Sequence, residues 1–225
     1  MDDSIDDLTF SKRLRKPKGD ITLFDKTSKF ISIPKPERNS SLEIGKELMT
    51  VQGATYLRQP AIIKSIKKHD KDPAYAIKTY MRLFGLKYDQ DFINKVLKES
   101  AILIAEQKNK FNRPRPDQLA PYFGVTLEVL GSTTDNTPSY PSGHSSQSRL
   151  VAEIYAAEYP SHRENLLKAA EECGFGRIMG GFHYFSDHKM GVSFAKKLYR
   201  TLKNKKMTKP VEYNKVFDLK QKKRR

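Results

Sequence analysis

The sequence predicts an all-α fold, a compact helical bundle of about six or more helices, with its functional residues at helix ends and in connecting loops. Three observations predict it. Apolar residues recur at three- and four-residue spacing through most of residues 41–204. Proline and glycine stand at the ends of those stretches, where helices begin and stop. No segment carries the alternation of a half-buried strand, and no internal repeat is visible.

The elements follow in order. Residues 1–40 mix charge runs with Pro34 and Pro36 and read as an N-terminal arm, partly extended. From Ser41 onward, Leu42, Ile44, Leu48 and Val51 mark a first helix, interrupted or bent near Gly53. Pro73 opens a second helix, running to about Phe84 and stopping at Gly85. The third is the clearest: Phe92, Ile93, Val96, Leu97, Ala101, Ile104 and Ala105 place a helix over about 89–108. Pro114 and Pro116 forbid its continuation. Residues 111–141 then read as one long loop, and a loop of that length in a compact domain is usually functional. A fourth helix runs from about Ser142 to Tyr159, with Leu150, Val151, Ile154 and Tyr155 as its stripe, and Pro160 ends it. Ser161 and Glu164 have the spacing of a capping box for a fifth helix over about 162–179. Gly180 and Gly181 break it, and a sixth helix follows over about 184–204. The organisation expected is therefore an arm (1–40), a helical domain (41–204) and a basic C-terminal tail (205–225).

Composition narrows the class. The 225 residues suit one domain with tails. No apolar run approaches the ~18 residues of a membrane span. The N-terminal MDDSIDD lacks the apolar stretch of a secretory signal, and the single cysteine, Cys173, rules out an intrachain disulfide. A soluble, intracellular protein is the expectation, with peripheral attachment to a membrane as the variation. The net charge of +16 is concentrated: residues 189–225 carry +12 and the remainder only +4. Such an end attracts nucleic acid, anionic lipid headgroups or anionic substrates, or is simply a solvated tail.

Three segments concentrate cations, histidines and small residues near helix ends. In the first, Lys108 closes the third helix and Arg115-Pro116 stands in the rigid loop after it. Arginine offers a planar fork to two phosphate oxygens and lysine a point charge. In the second, Tyr140-Pro141-Ser142-Gly143-His144, Ser142 is placed as an N-cap and Gly143 allows close approach to the backbone. The free N–H groups of a helix start favour an anion, and His144 in that first turn can protonate a leaving oxygen. In the third, Arg177 falls near the end of the fifth helix, and His183 and Asp187 are four residues apart, on one face if the sixth helix begins by His183. A carboxylate on one imidazole nitrogen orients the ring and leaves the other nitrogen free to attack. Taken singly, each segment also fits a surface basic cluster, an ordinary helix start or a helix-stabilising His–Asp contact. The remaining histidines carry less: His69 lies in a loop-like polar run, His162 in a solvated first turn, and His188 is turned away from Asp187. Cys173 reads as a packed thiol.

Together, Lys-x6-Arg-Pro, Pro-Ser-Gly-His and Arg-x5-His-x3-Asp, in this order over residues 108–187, resemble the superfamily of type 2 phosphatidic acid phosphatases, bacterial nonspecific acid phosphatases and vanadium haloperoxidases. Gly176 departs from the pattern, which usually has Ser before the arginine. The resemblance implies a phosphatase in which His183 is the nucleophile, Asp187 its orienting carboxylate and His144 the general acid and base. Lys108, Arg115, Ser142, Gly143 and Arg177 would bind the phosphate. It implies no cofactor, and no separate Asp/Glu/His cluster suggests a metal site. The partner expected is a phosphorylated small molecule. Two alternatives stay open: a lipid phosphate phosphatase held peripherally at an anionic membrane, and a non-catalytic nucleic-acid-binding protein acting through its basic tail.

Overall fold

The computed structural model describes residues 3–203 except Arg13, Arg15 and Lys16; the basic tail expected at 205–225 lies outside the described residues. Within them the fold is all-α, with no strand and one isolated bridge between Phe24 and Leu202. The helices are α1 (Leu42–Tyr56), α2 (Pro60–Lys71), α3 (Tyr75–Leu83), α4 (Gln90–Phe111), α5 (Pro116–Leu119), α6 (Gly143–Glu158), α7 (Arg163–Met179) and α8 (Phe185–Thr201).

Local chemistry sets most boundaries. The Ser41 side chain accepts from Ile44 N–H and opens α1, and Asp89 does the same for α4 through Phe92 N–H. Asn112, left-handed at φ 46°, closes α4 with its N–H on the Lys108 carbonyl. Ser142 caps α6, accepting from Ser145 N–H.

Five sequence expectations are corrected. Gly53 does not interrupt α1, because Val51 and Thr55 keep the helix docked on both sides of it and its own position faces open space. The polar run around His69 is not a loop. It is the end of α2, which Pro60 opens at its first turn, and His69 is buried against Tyr75 with ring centroids 5.7 Å apart. The segment after Pro114 is only partly loop, since Pro116 starts the single turn of α5 and a 3-10 turn follows over Ala120–Phe123. No capping box forms at Ser161, because residues 160–162 make a 3-10 turn that runs straight into α7. His162 in that turn is not free in solvent: its Nδ1 lies 2.8 Å from the Tyr80 hydroxyl.

α6 is the central helix, with most of its residues buried on every side against α7, α8, α3 and α4. Its small residues permit the close crossings. A Cβ at Gly191 of α8 would stand 2.7 Å from the Ser142 carbonyl oxygen, and one at Gly174 of α7 2.2 Å from His188 Nδ1. Both glycines are therefore the condition for α7 and α8 to reach the start of α6. The residues before α1 pack as well: Phe24 and Ile33 enter the main core, and Glu99 of α4 accepts from the N–H groups of Thr22 and Leu23 at 2.8 and 2.7 Å.

Candidate active site

The end of α4, the start of α6 and the segments just before α5 and α8 meet at one cavity of about 220 Å³. Lys108, Arg115, Gly143, His144 and His183 line it, from three segments spread over more than seventy residues. Apolar Ala101, Ile104 and Ala105 of α4 form one wall. Ser142, Arg177 and Asp187 do not line it and act from behind.

His183 stands just before α8, not within it, so its pairing with Asp187 does not come from helix periodicity. Asp187 is the third residue of α8, and its Oδ2 accepts from Tyr184 N–H at 3.0 Å and faces His183 Nδ1 at 3.1 Å. The carboxylate thus caps the helix and fixes the imidazole at once. A carboxylate accepts only, so Nδ1 carries the proton and Nε2 keeps its lone pair. Burial opposes the Asp187 charge, but Arg113 and His183 outweigh it and hold the carboxyl well below its usual range. Burial, against the pull of Asp187, keeps the His183 imidazole neutral well below its ordinary titration.

Lys108 and Arg115 are buried, yet among the described residues neither has a carboxylate at ion-pair distance. Lys108 Nζ donates to the carbonyls of Pro138 and Ser139. Arg115 donates through Nε to Thr137 O and through Nη1 to Phe182 O, both at 2.8 Å. Burial and the Arg115 charge push Lys108 well below the usual lysine range, and burial with Arg177 pulls Arg115 down to about 10. Two buried cations held by carbonyl oxygens and the Thr137 hydroxyl, with no described carboxylate, form a site that favours an anion.

His144, in the first turn of α6, lies with Nε2 3.2 Å from the Asp70 carbonyl oxygen. Burial and Arg177 depress its imidazole to about 3. The same Asp70 holds Arg177: Oδ1 accepts from Arg177 Nη1 at 2.5 Å and from Ser132 Oγ at 2.6 Å. Arg177 Nη2 reaches Thr134 Oγ1 at 3.2 Å, and Thr134 lines the cavity, so Arg177 stands one hydrogen bond behind the wall. Its Nε, buried, has no hydrogen-bond partner. Gly176 packs near Ile66, 3.4 Å from where a Cβ would sit.

Three site residues were not read from the sequence. Arg113, inside the spacer between Lys108 and Arg115, donates from Nη1 to Asp187 Oδ1 at 2.5 Å and lies 4.0 Å over the Tyr184 ring. Glu47 of α1 accepts from Ser186 N–H at 2.6 Å and from Arg113 Nη2 at 3.4 Å. Asp70 is the third. A second arginine in a proline-rigid loop was a visible signal for Arg113, and Pro60 was a start signal for the helix that carries Asp70. Among the described residues no group of three or more His, Cys, Asp or Glu side chains is placed to hold a metal ion. No helix there is long and apolar enough to cross a membrane.

Residues 92–196 match the model of the PAP2 superfamily. An acid phosphatase from Zymomonas mobilis subsp. mobilis is 32% identical over 130 residues, covering 56% of this chain and 47% of that protein. The chain thus spans about half the length of that curated relative. A crystal structure of a transmembrane PAP2-type phosphatidylglycerolphosphate phosphatase from Bacillus subtilis shares the fold, with a TM-score of 0.50 at 18% identity over 80% of this chain and 89% of that one. All three motif segments lie inside the stretch, residues 92–196, that is similar to the PAP2 superfamily.

Proposed function

We propose that the protein is a metal-independent phosphomonoesterase that acts through a phosphohistidine. The observation that carries this reading is the pair of buried cations, Lys108 and Arg115, that have no carboxylate partner and share one cavity with His183 and His144. A phosphate dianion supplies the missing counter-charge, and its oxygens take hydrogen bonds from Lys108, Arg115 and the Gly143 N–H. Ser142 and Arg177 complete the set from behind the cavity wall.

The chemistry then follows from which atoms are free. His183 Nε2 attacks phosphorus as the ester P–O bond breaks, and Asp187 stabilises the ring as it becomes positive. His144 gives a proton to the leaving oxygen, then takes one from the water that cleaves the N–P bond. Its Nε2 proton is held on the Asp70 carbonyl, so the proton delivered is the one on Nδ1. His144 is neutral in the empty site; the dianion beside it favours the protonated ring needed for that step. The cations neutralise the three equatorial oxygens in a dry pocket, where such contacts are strongest.

The test is hydrolysis of p-nitrophenyl phosphate with EDTA present, with and without vanadate, by the parent and His183→Ala. Metal-independent, vanadate-sensitive release that disappears in the variant is the expected result. Equal activity in both removes His183 as nucleophile.

A further inference from the structure

Behind Ser142 runs a chain of hydrogen bonds that ends at a carboxylate near the surface. Ser142 Oγ accepts from Ser145 N–H at 3.4 Å and lies 3.0 Å from Ser145 Oγ. Ser145 Oγ lies 3.0 Å from His188 Nδ1, and His188 Nε2 lies 2.9 Å from Glu171 Oε2. Ser142, Ser145 and His188 are all buried, while the Glu171 side chain is 32% exposed. Gly174 leaves the room that the imidazole fills, and Gly191 lets α8 carry His188 up to Ser145.

The direction of each hydrogen bond is forced in turn. A carboxylate only accepts, so Nε2 of His188 carries a proton. When the ring is positive, Nδ1–H also donates, to Ser145 Oγ. The Ser145 proton then turns to Ser142 Oγ, both acceptor positions of Ser142 are filled, and its own O–H is left to donate to a phosphate oxygen. When the ring is neutral, Nδ1 accepts from Ser145 O–H. Ser142 then donates to Ser145 and presents lone pairs to the phosphate.

We propose that the charge on His188 sets the polarity of the Ser142 hydroxyl and, through it, the affinity of the site for a phosphate oxyanion. Ser145, His188 and Glu171 are positioning residues, and the proposal rests on the reading of Ser142 as a phosphate ligand. The charged groups around His188 come from α6, α7 and α8. Glu171 of α7 bonds it directly, and the His188 hydrogen bond keeps that carboxyl below its ordinary range. Arg149 of α6 lies 3.4 Å from the far oxygen of Glu171 and is shared with Glu153, and Lys196 of α8 acts on Glu171 from the other side. Phe175 and Phe185 cover the ring at 5.1 and 5.9 Å, with Lys189 beyond, 4.7 Å from Phe185. Burial holds His144 and His183 neutral without an anion, and any proton a bound dianion draws onto them is common to the parent and Ser145→Ala.

The experiment measures binding of inorganic sulfate calorimetrically, with the full chain, over about pH 5 to 8, the range in which imidazoles change charge. Sulfate keeps its two charges throughout, and binding is read without turnover. The parent is expected to lose about tenfold more affinity with rising pH than Ser145→Ala, the change expected of one hydrogen bond to a charged oxygen. Any dependence due to Lys108 is common to both. Glu171→Gln, at a partly exposed position, keeps the shape, removes the counter-charge and is expected to move the loss to lower pH. Ser148→Ala, which removes a hydroxyl one turn along α6, is expected to behave as the parent. The same pH dependence in parent and Ser145→Ala, or no displacement in Glu171→Gln, overturns the relay while leaving the anion site in place. No sulfate binding by the folded parent overturns the anion site, and the relay with it.

Discussion

Arg113 holds one oxygen of Asp187 at 2.5 Å while the other oxygen faces His183, and both partners of this ion pair are fully buried. The pair supports the fold and the His183 imidazole together. Removing one member of a buried pair strands the other charge, which costs about 3–5 kcal/mol. Arg113→Ala is therefore expected to lose that much stability in urea unfolding. At a temperature where it remains folded, kcat should fall at least about tenfold with a smaller change in KM, because His183 loses its fixed orientation. Asp187→Asn strands Arg113 in turn and should lower stability as well as rate. An Arg113→Ala protein with parental stability and kcat removes this role.

Acid should destabilise the protein in two stages. His144, held down at about 3, and His183, also lowered, bind protons in the unfolded chain below ~6.5 that the folded chain refuses. Stability thus falls as pH drops from ~6.5, by about 1.4 kcal/mol per pH unit for each histidine that stays neutral. Asp70 and Asp187, both lowered, contribute above ~3.9 and lose that contribution only in stronger acid. Urea midpoints of the parent and His183→Gln between about pH 5 and 7 check the first stage. The variant should show the shallower slope, and an identical slope contradicts it.

Gly191 is expected to be a stability and an activity position together. A Cβ there meets the Ser142 carbonyl at 2.7 Å, Ser145 Cβ at 2.9 Å and Ser146 N at 3.2 Å. These atoms are backbone or one bond from it, so the clash is relieved only by moving α8 off the start of α6. Gly191→Ala should lose about 1–3 kcal/mol and raise KM for p-nitrophenyl phosphate by displacing Ser142 and Gly143. A variant with unchanged melting temperature and KM shows that the crossing is looser than the structure has it.

Asp70→Asn should tighten product binding. The carboxylate lies 2.5 Å from Arg177 Nη1 and competes with an incoming phosphate for that fork. The amide keeps an acceptor for Ser132 and Arg177 but removes the charge, and the main-chain carbonyl on His144 is untouched. The inhibition constant of inorganic phosphate is expected to fall by about threefold to tenfold, within the range of one charge interaction near a protein surface. A rise instead means that Asp70 works by placing Arg177 and not by competing with substrate.

His144→Ala should separate the two chemical steps. With a good leaving group such as p-nitrophenolate, attack by His183 needs no acid, while hydrolysis of the phosphohistidine still needs a base. A burst followed by slow turnover, with acid-labile phosphate on the protein, is the expected result. A linear time course with no phosphoprotein argues against the shared acid–base role.

By itself the sequence determined the all-α class, the helices α4, α6, α7 and α8 to within a few residues, and the membership of the motif residues around one site. Those features are local: helical spacing, proline and glycine stops, and caps at Ser41, Asp89 and Ser142 are set by neighbours along the chain. α2 went unread because its exposed face is lysine-rich and only Ile66, His69 and Asp70 of it are buried, too few to show a period. Gly53 was read as a break because its propensity is poor, yet the burial of Val51 and Thr55 outweighs the ~1 kcal/mol involved. Only the tertiary structure decided that Arg113 pairs with Asp187, that Asp70 joins Arg177 to His144, and that His188 turns towards Ser145. Each is a pairing of buried charges or polar groups across 43 to 107 positions of chain. Burial makes such partners obligatory, but which residue supplies them depends on where helices cross, and no local pattern records that.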